Sequence, residues 1–470
     1  MNRALLATIA LIGAPFAYAQ DLSSDDLARR TVERRAVEAV IWGMPAVNFN
    51  LMYRAMVRET KGGFNQIVYW SRLLDWKNQT LTPNPDVIYL MPFIDTKDAG
   101  PVVLEIPPAD GGVINGSVMN YWQAAIEDVG PAGVDKGKGG KYLILPPGYG
   151  KDKVPDGNIA MPSDTYRDYA LLRSVLKGGS DAEVAQAVAY AKRIRLYPLS
   201  QAANPPPTTF LDASGILFDS AIPYDLRFFE ELDEMVQAEP WLERDRAMID
   251  QLKTIGIERG KSFLPDARMQ QILNGAIKEA RAWLDTNYEK LLSPYYDGGR
   301  WMLPADPDLM KSVQNFFQTQ DSYPVDARGI TYTFAFFSAK HLGAGQFYLM
   351  AITDKDGKPL DGKASYRLTV PANAPVNQYW SATAYNRETH TLIRNARWSG
   401  RSSQTPGLQK NPDGSADIYF GPKAPAGKES NWAPTSVDGK FEVLFRFYGP
   451  EKPLFDKTWR LPDIERVAAQ

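Results

Sequence analysis

The sequence predicts an α+β protein in which two blocks of short antiparallel strands are separated by a mainly helical stretch. Three observations carry this. Residues 66–145 break into short apolar runs divided by Gly and Pro clusters, much of the segment from 163 to 287 recurs at a helical spacing, and residues 332–459 return to alternating strands with Asp-Gly turns. Runs of strands interrupted by runs of helices argue against an alternating parallel sheet.

The elements follow in order. Arg3, the apolar run Ala4–Phe16 and Ala17-Tyr18-Ala19 read as a secretory signal peptide cleaved after Ala19, which sends the protein to the periplasm or outside the cell. That run is shorter than the roughly 20 residues a membrane span needs, and no later stretch is long and apolar enough, so no membrane span is expected. From Leu22 to Glu59 the residues Ala36, Val37, Val40, Ile41 and Met44 recur at three and four behind Asp25-Asp26, predicting a helix that Pro45 should kink or end. The first β block follows, with strands around DVIYLMPFI, PVVLEIP, GVINGSVMNYW and KYLILP. Ser163–Lys192 reads as helical, through Leu171, Leu172, Val175 and Leu176 and then Val184, Ala187, Val188 and Ala191. Asn204-Pro-Pro-Pro207 is an extended connector, and Tyr224–Asn287 is helical again.

The last block carries the clearest pattern. In YWSATAY, Tyr379, Ser381, Thr383 and Tyr385 point one way and Trp380, Ala382 and Ala384 the other, the period of two of a half-buried strand. Phe441, Val443, Phe445 and Phe447 share one face of a later strand with Arg446 on its other side, and Gly449-Pro450 stops it. Turns are expected at Asp356-Gly357, Asp413-Gly414 and Asp438-Gly439.

These residues carry a family resemblance. Asp354–Gly362, Tyr379-Trp-Ser381, Tyr385, Asp413-Gly-Ser415, Asn431-Trp432 and Arg446-Phe-Tyr448 resemble the domain of unknown function numbered 1214. Thr82-Pro-Asn-Pro-Asp-Val-Ile-Tyr89 and Gly139–Gly148 resemble the one numbered 1254, although Pro85 and Val87 replace residues common there. The chain thus resembles bacterial exported proteins that pair the two. The resemblance implies that each β block is a jelly-roll-like sandwich, and it brings no reaction with it. The expected division is a signal peptide at 1–19, an N-terminal helix and first sandwich at 20–160, a mainly helical region at 161–325 and a second sandwich at 326–470.

Composition excludes several chemistries. The chain has no cysteine, which removes disulfides, thiol catalysis and thiolate zinc sites. Its 53 Lys plus Arg against 55 Asp plus Glu show no concentrated basic run, so nucleic acid is not an expected partner. With His341 and His390 as its only histidines the protein cannot build a three-histidine metal centre. No haem site is expected. Gly256-Ile-Glu-Arg-Gly260-Lys261-Ser262 lacks the glycine spacing and preceding strand of a phosphate loop, so no nucleotide is expected either. Asp354-Lys-Asp356-Gly357 reads as a turn, with Ser365 where a calcium loop needs a bidentate acid. His390 reads as a surface residue, and His341 as part of a loop between strands.

The candidate site starts at Asn84, Asp86 and Tyr89. Asn and Asp flanking a proline build a tight turn; alternatively Asp86 projects into the cleft of the first sandwich as a general base, or as a ligand for calcium or magnesium. Tyr89 and Tyr121 are the accompanying catalytic candidates, and Tyr121 and Trp122 would wall that cleft. Arg394, Arg397 and Arg401 read first as a solvated loop pairing with nearby acids, and alternatively as cations spaced to bind a carboxylate or sulfate. Asn431, Trp432 and Arg446 are expected to pin sandwich corners through buried hydrogen bonds. With thiol absent and imidazole scarce, the expected function is a hydrolase or lyase of a small polar or carbohydrate-like molecule acting through carboxylates. The alternative is a periplasmic binding or envelope-assembly module, and a homo-oligomer is left open.

Overall fold

The computed structural model describes residues 22–176, 178–335, 339–341, 345–435 and 438–468; the predicted signal peptide lies outside them. Helix α1 (Ser24–Thr60) opens the described chain. Ser23 caps it, its hydroxyl accepting from Asp26 N at 3.1 Å, and Asp25 and Asp26 complement the positive end of its dipole. Pro45 neither ends nor divides this helix. A proline leaves the carbonyl four residues earlier without an amide, and here that is Ile41, whose neighbours are buried on nearly every side. Gly329 backs onto this carbonyl so closely that a Cβ would lie 2.6 Å from it. Tertiary packing therefore holds the helix through its weakest residue.

The first sandwich pairs a six-stranded sheet with a four-stranded one. The larger sheet holds β1 (Gln66–Tyr69), β3 (Ile88–Asp95), β5 (Ile114–Asn120), β6 (Ala125–Val129), β9 (Arg167–Ser174) and β11 (Phe210–Asp212), ordered β11-β1-β3-β9-β5-β6. The smaller holds β4 (Val102–Ile106), β7 (Gly140–Leu145), β8 (Asn158–Pro162) and β10 (Arg195–Pro198), ordered β10-β4-β7-β8. The short β2 (Asn78–Gln79) pairs with β12 (Phe218–Asp219). One expectation fails here. Residues 167–174 form a strand at the middle of the larger sheet, and the helix is confined to Asp181–Ala191. A strand buried on both faces reads as a continuous apolar run, which periodicity alone does not separate from a helix.

The second sandwich repeats the first. Its six-stranded sheet holds β13 (Ser293–Pro294), β14 (Met302–Leu303), β15 (Gln346–Ala351), β17 (Val376–Asn386), β18 (Gly400–Ser402) and β21 (Phe441–Pro450), ordered β13-β14-β15-β21-β17-β18. Its four-stranded sheet holds β16 (Ser365–Val370), β19 (Ala416–Gly421), β20 (Trp432–Pro434) and β22 (Glu465–Val467), ordered β20-β19-β16-β22. Strands β3 to β10 map one for one, in chain order, onto β15 to β22. Every pairing keeps its direction, including the parallel β7·β8 and β19·β20 pairs within otherwise antiparallel sheets. These eight strands share one topology across the two halves.

The alternation expected for the last block is present. Val443, Phe445 and Phe447 are buried together in the second sandwich's core with Trp380, Ala382 and Ala384. Their opposite neighbours, Tyr379, Tyr385, Leu444 and Tyr448, belong instead to a core shared with α1 and the helix Ala267–Leu291. The larger sheet of the first sandwich contributes Val68, Met91, Phe93 and Tyr169 to that same core. Both six-stranded sheets thus turn their outer faces toward a common helical layer, and a cleft opens where the helices do not fill the space between them. Among the described residues no helix is long and apolar enough to cross a membrane.

Candidate functional site

The segment Thr82–Asp86 leaves the first sandwich and docks on the second. Asn84 is its hub: Nδ2 donates to Tyr379 Oη (3.0 Å) and Tyr448 Oη (2.7 Å), and the backbone N donates to Tyr89 Oη (3.0 Å). Its Oδ1 accepts from Asp86 N at 3.0 Å, the turn that Asn-Pro-Asp predicts. Tyr385 Oη donates to Pro83 O at 2.6 Å, and Arg446 Nη2 donates to Thr82 O at 2.8 Å. The residues that carry the resemblance in the two sandwiches, 295 to 364 positions apart, therefore meet in one contact.

Beside this latch lies a cavity of about 340 Å³ lined by both six-stranded sheets. That is within the usual range for small-molecule sites. Its two walls match. Tyr89 faces Arg173 across β3 and β9, and Tyr348 faces Arg446 across β15 and β21. Laying one Tyr–Arg pair on the other brings the last residue of β5, Asn120, onto the last of β17, Asn386. The same superposition matches Met91 with Met350 and Leu171 with Leu444, and these four residues line the cavity together with Tyr89, Arg173, Tyr348 and Arg446.

The two arginines are buried, at 7% and 2% exposure, and have lost most of their hydration. Among the described residues neither forms an ion pair. Arg446 is tied down by Thr82 O, Tyr385 Oη (2.7 Å) and Thr383 Oγ1 (3.3 Å). Arg173 has one hydrogen bond among the described residues, from Nε to Tyr89 Oη at 3.3 Å, which leaves its two terminal nitrogens for a ligand. Besides burial, the groups that act most on Arg173 are Tyr89, Tyr348 and Tyr448, and Tyr89 also acts on Arg446. Phenols are neutral near pH 7, so they supply dipoles rather than countercharge, and the acid near Arg446 is Asp86, which is outside the cavity lining.

Asp86 lies on the face of β17 and β18, near Ser381, Ser402 and Arg446, and is half-buried. It belongs to the latch against the second sandwich, and the cleft of the first sandwich does not receive it. Burial pushes its carboxyl up to about 6; Arg446, Ser402, Arg401 and Ser381 pull it part of the way back. Ser381 Oγ exerts that pull without completing a hydrogen bond of ordinary geometry. Tyr89 lines the cavity, as a catalytic or binding candidate should.

The remaining sequence candidates disperse. Tyr121 and Trp122 wall no cleft: they pack under α1, with Tyr121 4.3 Å from the Phe49 ring and Trp122 4.8 Å from Trp42. Burial raises the Tyr121 hydroxyl well above its ordinary pKa, and that hydroxyl has no hydrogen-bond partner among the described residues. Arg394 pairs with Asp219 at 2.6 Å, while Arg397 and Arg401 lie 4.1 and 4.2 Å from the Trp398 ring centre. Arg401 sits opposite Ala382 and so emerges on the sandwich-core side of its sheet, where it donates to Glu429 O at 2.9 Å. Burial lowers its pKa to about 10. The three do not converge on one anion.

His390 is buried, contrary to the surface position expected of it. A positive φ of 55° folds it back so that Nδ1 meets Glu442 Oε1 at 2.8 Å, beside Tyr288, which donates to the other carboxylate oxygen at 2.8 Å. His341 is near the cavity mouth and meets Glu127 at 3.0 Å. Asp354 acts as a turn residue, its Oδ1 accepting from Asp356 N and Lys358 N. Asn431 and Trp432 pin the sandwich as expected, Asn431 through Gln409 and Asp417 O and Trp432 through Gly421 O. Among the described residues no group of three His, Asp or Glu is placed to hold a metal.

Comparison with known proteins agrees with this architecture. Residues 64–198 match the model of a protein of unknown function, DUF1254, and residues 345–452 match a second, DUF1214. The chain belongs to the family that pairs these two domains. A protein from Vibrio parahaemolyticus, known as a crystal structure, is 18% identical over 93% of this chain and 100% of its own, with a TM-score of 0.55. An uncharacterised protein from Burkholderia cenocepacia is 11% identical over 94% of this chain and 96% of its own, with a TM-score of 0.40. No curated protein matches the sequence. The Vibrio structure supports the α+β sandwich fold of this family member and says nothing of its chemistry.

Proposed function

We propose that this family member is an exported protein that takes a small organic acid with an apolar body into the cleft between its sandwiches. The observation that carries the reading is the pair of buried guanidinium groups, Arg173 and Arg446, neither in an ion pair among the described residues, in a mainly apolar cavity that Met91, Met350, Leu171 and Leu444 help to wall. A buried charge without a partner is costly, and a guanidinium is shaped to grip a carboxylate with two parallel bonds. The methionine and leucine walls favour an apolar ligand body over the carbohydrate-like one expected from the sequence.

Titration calorimetry with benzoate and phenylacetate tests this. Wild type should bind, and Arg173→Gln should weaken binding at least about tenfold, the loss of one charge-assisted hydrogen bond or more, with the ligand-free melting temperature little changed. Equal affinity in the variant would refute the site. A second reading, a hydrolase or lyase working through a carboxylate, is favoured by one observation: Asp86 holds a proton to about pH 6 beside the latch, a value suited to general acid–base work near neutral pH.

A further inference from the structure

We propose that the ligand's head carries two negative charges close together, as a phosphate-like group or a pair of adjacent carboxylates does. The inference rests on the anion reading of the cleft and goes beyond it. A single carboxylate needs one arginine, yet the shared topology delivers two, one from each sandwich at matching register positions. They line one cavity and are joined by a short chain of contacts: Arg173 Nε donates to Tyr89 Oη, which also accepts from Asn84 N, while Asn84 Nδ2 donates to Tyr448 Oη, two residues along β21 from Arg446. Two like charges gathered in a desolvated cleft repel each other, and a monoanion would leave part of that repulsion standing.

The acids nearby do not cancel the surplus. Asp86 is outside the cavity lining and is already drawn on by both Arg446 and Arg401. Glu442, on the same sheet face, is taken by His390 and Tyr288. Asp128, which also lines the cavity, hydrogen-bonds Ser117 Oγ, Lys340 N and His341 N and pairs with neither arginine. Donors complete the seat. Tyr89 Oη accepts from Asn84 N and from Arg173, which leaves its own proton to donate, and Tyr348 places a second phenol at the equivalent position on the other wall.

The test is a calorimetric series at pH 8 on the full mature chain with three probes of one aromatic body: benzoate with one charge, phthalate with two adjacent carboxylates and phenylphosphonate with a doubly charged head. The expected result is that phthalate or phenylphosphonate binds at least about tenfold more tightly than benzoate, and which of the two leads tells carboxylate from phosphate chemistry. In Arg173→Gln that preference should shrink to about threefold or less, while Arg173→Lys, which keeps the charge, should retain most of it. Benzoate binding as tightly as both dianions would overturn the proposal and leave the organic-acid reading intact. No binding by any of the three would overturn both.

Discussion

Replacing Phe445 with alanine is expected to lower the unfolding free energy by about 3–5 kcal/mol, the cost of deleting a core aromatic. Phe445 is fully buried, with its ring stacked on Trp380 at 5.5 Å, 4.8 Å from Phe447 and edge-on to Trp301 at 6.0 Å. None of these neighbours can collapse far into the space, because Trp380 is held in β17, Phe447 in β21 itself and Trp301 by its hydrogen bond to Pro462 O. The residue alternates with Arg446, so it points away from the cleft. Urea unfolding should show the loss, and ligand affinity at fixed folded fraction should stay near that of wild type. Stability unchanged within error would contradict the assignment of faces along β21.

Replacing Asp86 with asparagine is expected to stabilise the protein at pH 8 and to make no difference at pH 4. The folded carboxyl keeps its proton to about pH 6, whereas the unfolded one releases it near 3.8. Between those values the folded state binds more protons, so this group's contribution to stability is whole below about pH 4 and is lost as pH rises through 6. The displacement corresponds to about 3 kcal/mol, which Asn, unable to ionise, does not forfeit. Unfolding of both proteins at pH 4 and pH 8 measures it, and the absence of a gap at pH 8 would mean that Asp86 is freely solvated. If Asp86 is also a general base, the same variant loses turnover by at least about a hundredfold.

The sequence shows most of the scaffold and little of the cleft. Tyr379 to Tyr385 and Phe441 to Phe447 are half-buried strands, so their alternation announces which side is core. Asn84 and Asp86 are legible as a turn because proline and Asx residues act locally. Arg173 is hidden because its strand is covered on both faces, and its apolar run mimics a helix. Tyr348 and Arg446 lie nearly 100 residues apart and gain meaning only when β15 and β21 pair. Tyr121 and Trp122 mislead for the reverse reason: aromatic rings at a strand end suit a cleft wall and a helix-packed core equally well. The shared topology escapes the sequence because a fold constrains burial and register at each position, and few individual residues beyond the Tyr–Arg pairs need to stay alike.

The most direct measurement is a crystal structure of the protein soaked with 4-bromobenzoate, whose bromine marks its position by anomalous scattering. The carboxylate is expected between Arg173 and Arg446, within hydrogen-bond distance of Tyr89 or Tyr348, and the bromine among Met91, Met350, Leu171 and Leu444. Bromine peaks confined to other surfaces, with the cleft between the two six-stranded sheets holding only water, would contradict it.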